Sequence, residues 1–262
     1  MSSNPYEAPK APLSDYVPSD DQGGFRGEPK VCEAGSGARW LALGWSAFTH
    51  SPGPWLLITL MWFLIAIVAY IVPGGSLAQN LLFPVFIAGI MLGCEAMRLG
   101  DPLTAEHLFA GFKAPNVGQL VLVGAIYLAG VFALALVVMV PVLLLGGFAL
   151  FKAIAAGTEP DLQMVLPILL GMLVFMALLL PLLMAMWFAP PLVVFQRMPA
   201  FDAMKLSFTA CLKNFMPYLV YGLVGFLIAL AASIPFFLGW FVAMPIFFGS
   251  TYASYREIFH TD

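Results

Sequence analysis

The chain contains four long blocks that carry no Lys, Arg, Asp or Glu, and these blocks constrain its fold more than any other feature. They cover residues 40–94, 114–151, 162–196 and 214–255. A helix of about 20 apolar residues crosses roughly 30 Å of hydrocarbon, so each block has room for one or two crossings. Of the 262 residues 61% are hydrophobic and 10% are charged, unlike a water-soluble domain. The sequence therefore predicts an all-α, polytopic membrane protein.

Proline, glycine and asparagine divide these blocks into six predicted transmembrane helices, arranged as three hairpins. Pro73 and the two glycines after it predict a tight turn between the first two helices. The third apolar run continues past Pro141 to Phe151, which predicts a tilt, a kink at the proline or an interfacial extension. Gly89 and Gly93 form a pair of small residues that lets another helix approach closely. The predicted spans are residues 55–72, 78–97, 118–140, 165–190, 216–232 and 236–255.

A short amphipathic helix is predicted before each hairpin, lying on the cytoplasmic face of the membrane. The first, residues 39–50, has Trp40 and Trp45, with Trp55 nearby, and indoles suit the headgroup layer. The second is predicted to begin at Asp101, as an N-cap with a proline in the first turn. The third presents its apolar face through Phe201, Met204, Phe208, Cys211, Leu212 and Phe215.

An internal repeat is one explanation of this order of elements. A shift of 163 residues aligns Pro54-Trp55 with Pro217-Tyr218 and residues 63–66 with residues 226–229. Such identities also arise by chance in apolar sequence, so duplication and chance both stay open. The order itself, a short helix, a break at Pro or Asn and a two-span hairpin, occurs three times.

The two ends of the chain bear on its orientation. Residues 1–38 are rich in Pro, Gly, Ser and acidic residues, which predicts a disordered tail before a transmembrane domain at 39–258. This tail lacks the features of a cleavable signal peptide. With six crossings, ten of the eleven Lys and Arg residues fall on one side and only Lys152 falls on the other. The positive-inside rule then predicts that both termini are cytoplasmic.

No motif for catalysis, cofactor binding or metal binding occurs in the sequence, so we expect no such site. Glu95 precedes Arg98 by three residues at the end of the second span, which predicts a structural ion pair. Glu106 and His107 lack the spacing of a zinc site and suit a solvated helix face. Cys32, Cys94 and Cys211 show no paired spacing, which argues against disulfides and metal binding. The net charge of −3 argues against a nucleic-acid partner.

Basic residues beside the amphipathic helices are candidate contacts for anionic phospholipid headgroups. Topology alone also explains such charges. The favoured hypothesis is a non-enzymatic protein that interacts with lipid or with another membrane protein, as a monomer or an oligomer. The alternative is a small-solute or lipid transporter or channel. An enzyme would need Glu95, Asp101, Glu106 and His107 to converge with Lys205 or Lys213. The candidate lipid contacts are Arg98, Lys113, Arg197, Lys205 and Lys213.

Three segments carry a resemblance to a known group of proteins. Residues 207–222, residues 44–48 and Pro54-Trp55, with the six-span layout, resemble an uncharacterised family of proteobacterial inner-membrane proteins. That family is distantly similar to the membrane domain attached to some glycerophosphodiester phosphodiesterases. The likeness covers about residues 38–258, and the leader at residues 4–9 resembles one found on many such inner-membrane proteins. It implies the fold and a bacterial inner-membrane location, and no catalytic residue, because this chain has no phosphodiesterase barrel.

Overall fold

The structure is a computed structural model that describes residues 24–159 and 161–261. Within these ranges the chain is helical apart from turns, connecting segments and one isolated β-bridge between Phe25 and His260. The α-helices are α1 Ser36–His50, α2 Pro52–Ile71, α3 Gly75–Leu99, α4 His107–Ala110, α5 Val117–Val142, α6 Phe148–Ala155, α7 Leu162–Trp187, α8 Ala189–Gln196, α9 Ala200–Lys213, α10 Phe215–Ser233 and α11 Trp240–Phe259.

Five helical stretches of the described chain are long and apolar enough to cross a membrane, which agrees with a multi-pass membrane protein. The last helix, α11, has 20 residues but is not among them. Its second half is polar, from Ser250 to the charged pair Arg256 and Glu257. A sixth span therefore stays a prediction. The five stretches are Pro52–Ile71, Gly75–Leu99, Val117–Ala155, Leu162–Gln196 and Phe215–Ser233.

Helix boundaries follow the breaks expected from proline and glycine. Gly74 takes a left-handed conformation with φ 78° between α2 and α3, as the predicted tight turn requires. The third apolar run is interrupted just after Pro141 by a five-residue π-helical segment, Leu143–Gly147, before α6. Proline removes a backbone donor, and π segments often absorb such a disruption. The tilt, kink or interfacial extension predicted for this run stays a prediction.

One packing pattern recurs three times and arranges the helices in a ring. The short helix α4 packs on α3, and the short helix α9 packs on α7. The first helix, α1, packs on the last helix, α11. The helices α4 and α9 thus each lie against a long helix that precedes them in the chain, and the contact of α1 with α11 closes the ring.

Small residues bring the helices of each contact close together. A Cβ at Gly44 of α1 would collide with the carbonyl oxygen of Ile246 in α11, and one at Gly249 would lie 3.1 Å from the Cα of Gly44. A Cβ at Gly89 of α3 would likewise collide with the backbone of α4 at His107. The two small residues predicted in α3 therefore act in packing. We call the approach of Gly44 to Ile246 and Gly249 the closing contact.

At the third of these contacts a serine takes the place of the glycines. The Ser207 hydroxyl of α9 donates to the carbonyl oxygen of Met184 at 2.7 Å and accepts the N–H of Phe188 at 2.8 Å. Ser207 is fully buried. This hydroxyl satisfies a carbonyl and an amide at the end of α7, where the helix has no partner of its own for them.

The predicted disorder of residues 1–38 is wrong for residues 24–38. The N–H of Arg26 donates to the carbonyl oxygen of Phe259 at 2.7 Å, and the N–H of Lys30 donates to that of Ile258 at 2.9 Å. The segment before α1 is therefore fastened to the end of α11, and α1 itself begins at Ser36. Residues 1–23, which the prediction also covers, lie outside the described residues.

The tryptophans predicted for the headgroup layer lie mostly in the protein interior. Trp40 and Trp55 are fully buried, and only Trp45 is exposed. Both buried indoles keep a hydrogen bond: Trp40 donates to Glu257 at 2.7 Å and Trp55 donates to the carbonyl oxygen of Ala47 at 3.1 Å. A buried indole needs such an acceptor, and α1 and α11 supply it here. Aromatic composition alone does not distinguish these two environments.

One detail of the predicted amphipathic helices is also wrong. The second helix begins at His107 and not at Asp101, since residues 101–104 form no helix. On α9, Met204 and Cys211 are buried within the protein, whereas Phe201 and Leu212 are exposed, as is Phe215 at the start of α10. The buried side of α9 is lined by small residues because it lies against α7 and α8. Its buried residues are Ala200, Ala203, Met204, Ser207, Ala210 and Cys211.

We expect Gly44→Ala to destabilise the protein by about 1–3 kcal/mol, because overpacking a tight contact costs that much. The added methyl group meets backbone atoms of α11, which can only yield if the two helices separate. Gly222→Ala in α10 is the matched control, since nothing lies within 4 Å of a Cβ there. Thermal unfolding of the two purified variants in detergent measures the difference. Equal unfolding temperatures for the two would contradict the closing contact.

Candidate functional site

An open cleft of about 760 Å³ lies between α1, α3 and α11. Its walls combine apolar groups with an unusual concentration of charge for a chain with 10% charged residues. We call it the cationic cleft. It is lined by Lys30, Arg39, Leu43, Ser46, Ala47, His50, Cys94, Met97, Arg98, Gly249, Tyr252, Ala253, Arg256 and Glu257.

The helix α1 supplies one wall of the cleft because its sides differ in character. Trp40, Gly44 and Phe48 follow helical spacing and are buried against the rest of the protein. Arg39, Leu43, Ala47 and His50 follow the same spacing on the flank that lines the cleft. The opposite flank of α1 borders an apolar groove of about 560 Å³ next to α10 and α11. Charge is therefore concentrated on one flank only.

Glu257 of α11 fixes the position of the Arg39 side chain. One carboxylate oxygen accepts the Arg39 guanidinium at 2.5 Å and the Ser36 hydroxyl at 3.0 Å. The other accepts the indole N–H of Trp40 at 2.7 Å. The Glu257 side chain is 19% exposed and that of Arg39 is 56% exposed. The acid thus lies in the wall while the cation faces the opening.

The same arrangement occurs on the α3 wall. Arg98 donates from Nη2 and Nε to the two carboxylate oxygens of Glu95, at 2.6 and 3.1 Å. The Tyr252 hydroxyl of α11 donates to this carboxylate as well. Here too the carboxylate is less exposed than the cation: the Glu95 side chain is 17% exposed and the Arg98 side chain is 42% exposed. Pairs this exposed add little stability, so their main effect is to fix the two guanidinium groups.

Lys30 and Arg256 complete the set of cations. Arg256 lies beside His260, with 3.1 Å between its Nη1 and the ring Nδ1. Lys30 belongs to the segment fastened to the end of α11. Nearby, burial raises the pKa of the Cys32 thiol to about 11, and the negative charge of Glu257 adds to this effect. The thiol is therefore protonated at neutral pH and is a poor nucleophile or metal ligand.

A joint here is the connection between a short helix and the next long helix. The cleft lies at the one joint of the three in the described chain that no side-chain hydrogen bond closes. The residues that directly precede the next long helix at the three joints are Ser51, Asn116 and Asn214. Asn116 donates to the carbonyl oxygen of Val193 in α8. Asn214 bonds to the segment before α1 through the carbonyl oxygen of Lys30 and the N–H of Cys32, at 2.9 and 2.8 Å. At the remaining joint the Ser51 side chain forms no such bond within the described residues, and its neighbour His50 lines the cleft.

Only part of the site predicted from the sequence lies at this cleft. Of the five candidate lipid contacts, only Arg98 lines it. The other four, Lys113, Arg197, Lys205 and Lys213, are exposed elsewhere. Lys30, Arg39, Arg256 and Glu257 were missed because no short motif joins residues so far apart in the chain. The helical spacing of Arg39 and His50 on one flank of an otherwise apolar helix is the signal that points to them.

The groups that an enzyme would need do not meet here. Asp101, Glu106 and His107 are absent from the cleft lining, as are the two lysines of α9. His107 instead lies against Thr104, with 3.0 Å between its Nδ1 and the threonine hydroxyl. Across the described residues, no group of three or more His, Cys, Asp or Glu side chains is placed to hold a metal ion.

Comparison with known proteins supports an inner-membrane location. A protein of Burkholderia thailandensis, described as a probable inner membrane protein, is 28% identical over 207 residues, which cover 76% of each chain. No family model matches the chain. No solved structure matches it either. The similarity and the apolar helices together indicate a multi-pass inner-membrane protein.

We expect Glu257→Ala to lower the free energy of unfolding by about 1–3 kcal/mol, because buried hydrogen-bond partners lose their acceptor. The partners are Ser36, Arg39 and Trp40. Glu33→Ala removes the same charge from an exposed position three residues before Ser36, and surface changes of that kind are within about 0.5 kcal/mol. Thermal unfolding in detergent compares the two. An equal loss in both variants would mean that Glu257 does not organise the cleft wall.

Proposed function

We propose that this protein is a non-enzymatic inner-membrane protein that binds anionic phospholipid headgroups in the cationic cleft. The observation that carries the proposal is the convergence of four cations from three helices and one fastened segment. Lys30, Arg39, Arg98 and Arg256 line a single open cleft. Positive-inside topology accounts for basic residues on one side of a membrane, but it does not account for their convergence.

The way the arginines are held supports binding of a phosphate group. A guanidinium has five N–H donors, and the ion pairs with Glu257 and Glu95 engage only part of those of Arg39 and Arg98. Charge-assisted hydrogen bonds to phosphate are among the stronger ones in proteins. Because the carboxylates fix the arginines in advance, less side-chain entropy is lost when a ligand binds.

We also propose six spans arranged as three hairpins, with α11 as the sixth and both termini in the cytoplasm. The distribution of basic residues favours this orientation. The cationic cleft then opens at the cytoplasmic leaflet, where anionic headgroups attract basic side chains by about 1 kcal/mol each. The short helices α1, α4 and α9 lie at the same end of the hairpins.

Reporter fusions test this topology. Green fluorescent protein fused after Asp262 should fluoresce, because it folds in the cytoplasm, and alkaline phosphatase fused there should be inactive. Fusions after Gly157, between α6 and α7, should give the opposite result. Active phosphatase after Asp262 would place the C-terminus outside and would overturn the six-span proposal.

Polar side chains between the helices favour binding over transport. Tyr221 lies 2.9 Å from the Ser250 hydroxyl, and Tyr218 donates to Ser254 at 3.3 Å. Gln196 donates to the Tyr255 hydroxyl at 3.1 Å. These groups satisfy one another across the helices, whereas a solute path needs polar groups that face a hydrated cavity.

The test is mass spectrometry of the full-length protein in native membrane nanodiscs. We expect enrichment of anionic lipid over the surrounding membrane, and its loss in Lys30→Gln plus Arg39→Gln. The matched control is Lys205→Gln plus Lys213→Gln, which removes the same charge from exposed positions of α9 outside the cleft. Each contact is worth about 1 kcal/mol, so the double cleft variant should weaken retention about 30-fold.

Other outcomes of this experiment separate the alternatives. Equal loss of lipid in both double variants would indicate general surface charge and overturn the role of the cleft. A stoichiometric protein that copurifies without lipid would favour the partner hypothesis. Absence of both would contradict the proposal, and solute flux into liposomes would then test the transport hypothesis.

A further inference from the structure

We infer that the acidic N-terminal segment of this chain, residues 1–23, binds in the cationic cleft and competes there with anionic lipid headgroups. The competition rests on the proposed function, whereas the binding of the segment in the cleft does not. The segment lies outside the described residues. The inference therefore depends on its sequence, on the point where it joins the structure and on the charges of the cleft.

The segment carries the whole net charge of the chain. Four acidic residues and one basic residue fall within residues 1–23, and the 262 residues together have a net charge of −3. The rest of the chain is therefore neutral overall. Three of the four acids, Asp15, Asp20 and Asp21, lie in the part of the segment nearest to Gly24. The negative charge is thus concentrated close to the place where the segment joins the structure.

That place is beside the helix that supplies one wall of the cleft. The carbonyl oxygen of Gly24 accepts the N–H of Thr261 at 2.9 Å and its hydroxyl at 3.1 Å. The N–H of Arg26 donates to the carbonyl oxygen of Phe259 at 2.7 Å. Gly24 is therefore fixed next to a residue that follows Glu257 by only four positions, and Glu257 lines the cleft.

The acids are near enough to Gly24 to enter the cleft. Asp21 and Asp20 precede Gly24 by three and four residues, and Asp15 precedes it by nine. An extended chain spans about 3.5 Å per residue, so these carboxylates have a reach of about 10, 14 and 30 Å from Gly24. The segment can therefore enter the cleft while every described helix stays where it is.

The cleft offers separate donors to a segment that has several carboxylates. Lys30 lines it and forms no ion pair within the described residues. Arg39 bonds to Glu257 and Ser36 through Nη2, and a guanidinium has five N–H donors in total. Its side chain is 56% exposed. Carboxylates spread over several residues can meet Lys30 and Arg39 one at a time, so no single group has to contact both cations.

The covalent connection makes weak contacts sufficient. An exposed ion pair contributes little by itself, so a separate acidic peptide would bind this cleft poorly. A ligand joined to its site by a few residues acts at an effective concentration of the order of millimolar. The segment therefore binds through contacts that a separate peptide could not use, and an anionic headgroup has to displace it.

Disulfide formation in the full-length protein tests the binding directly. The test variant is Ser19→Cys plus Ser46→Cys, because Ser19 directly precedes the two adjacent aspartates and Ser46 is an exposed residue of the cleft lining. The matched control is Ser19→Cys plus Lys205→Cys, since Lys205 is exposed on α9 outside the cleft. The three native cysteines are buried.

Under mild oxidation in phosphatidylcholine nanodiscs, the cleft pair should cross-link about fivefold faster than the control pair, as two exposed ion pairs would give. Adding Asp20→Asn plus Asp21→Asn should remove the difference. Since this change leaves the length of the segment unaltered, it separates attraction by charge from mere reach. Salt at 1 M, where the Debye length is about 3 Å, should have the same effect.

Lipid retention measures the competition. In nanodiscs that contain phosphatidylglycerol, native mass spectrometry should show about fivefold stronger retention when Asp20→Asn plus Asp21→Asn is introduced or residues 2–22 are deleted. Glu159→Gln plus Asp161→Asn is the matched control. It removes the same charge from exposed positions between α6 and α7 and should leave retention unchanged. Thermal unfolding checks that each variant is folded.

Each outcome decides one claim. A cross-link that depends on the aspartates, with stronger lipid retention in their absence, supports the inference. Equal cross-linking of the two pairs, or a cross-link that the aspartate variant leaves unchanged, overturns it. Lipid that is still lost in Lys30→Gln plus Arg39→Gln would then leave the proposed function standing. An aspartate-dependent cross-link without retention of anionic lipid in any variant supports binding of the segment and overturns the proposed function.

Discussion

The contact between the first and the last helix is the constraint on which the rest of the structure depends. Gly44 of α1 lies against the backbone of α11 at Ile246 and Gly249, and no side chain fits between them. This approach joins residues about 200 positions apart, so its loop-closure entropy is large. Hydrogen bonds to Glu257 and the segment fastened to Phe259 help to offset that cost. Once α1 is in place, the helices form a ring, and the walls of the cationic cleft are defined.

The same contact explains why charges are tolerated at this end of the helices. The carboxylates of Glu257 and Glu95 each accept hydrogen bonds from a neighbouring helix. Glu257 of α11 accepts from residues of α1, and Glu95 of α3 accepts from Tyr252 of α11. A buried carboxylate without such donors would be costly. The side chains of Arg39 and Arg98, which pair with these carboxylates, stay exposed. The electrostatic features of the cleft therefore depend on helix packing, and a change that separates α1 from α11 alters both together.

The membrane fold could be predicted from the sequence, and much of the site could not. Charge-free blocks report on the local environment of a helix, and they predicted the long apolar helices correctly. The burial of Trp40 and the partnership of Arg39 with Glu257 depend on contacts 217 and 218 residues apart. Periodicity identifies an apolar face but not what covers it. On α9 the apolar spacing identified Phe201 and Met204 as one face, but not that Met204 packs within the protein while Phe201 is exposed.

The three joints differ at the place where we propose that anionic headgroups bind. Two of them are closed by an asparagine, which satisfies backbone groups of the neighbouring segment. At the third, His50 and Ser51 stand in place of the asparagine, and cations surround the opening. A ligand that bridges α1, α3 and α11 would take the part that Asn116 and Asn214 take elsewhere, holding adjacent elements together. A ligand that requires α1 to be packed on α11 would stabilise the closing contact by mass action. Occupancy of the cleft and packing of α1 on α11 are then two aspects of one equilibrium.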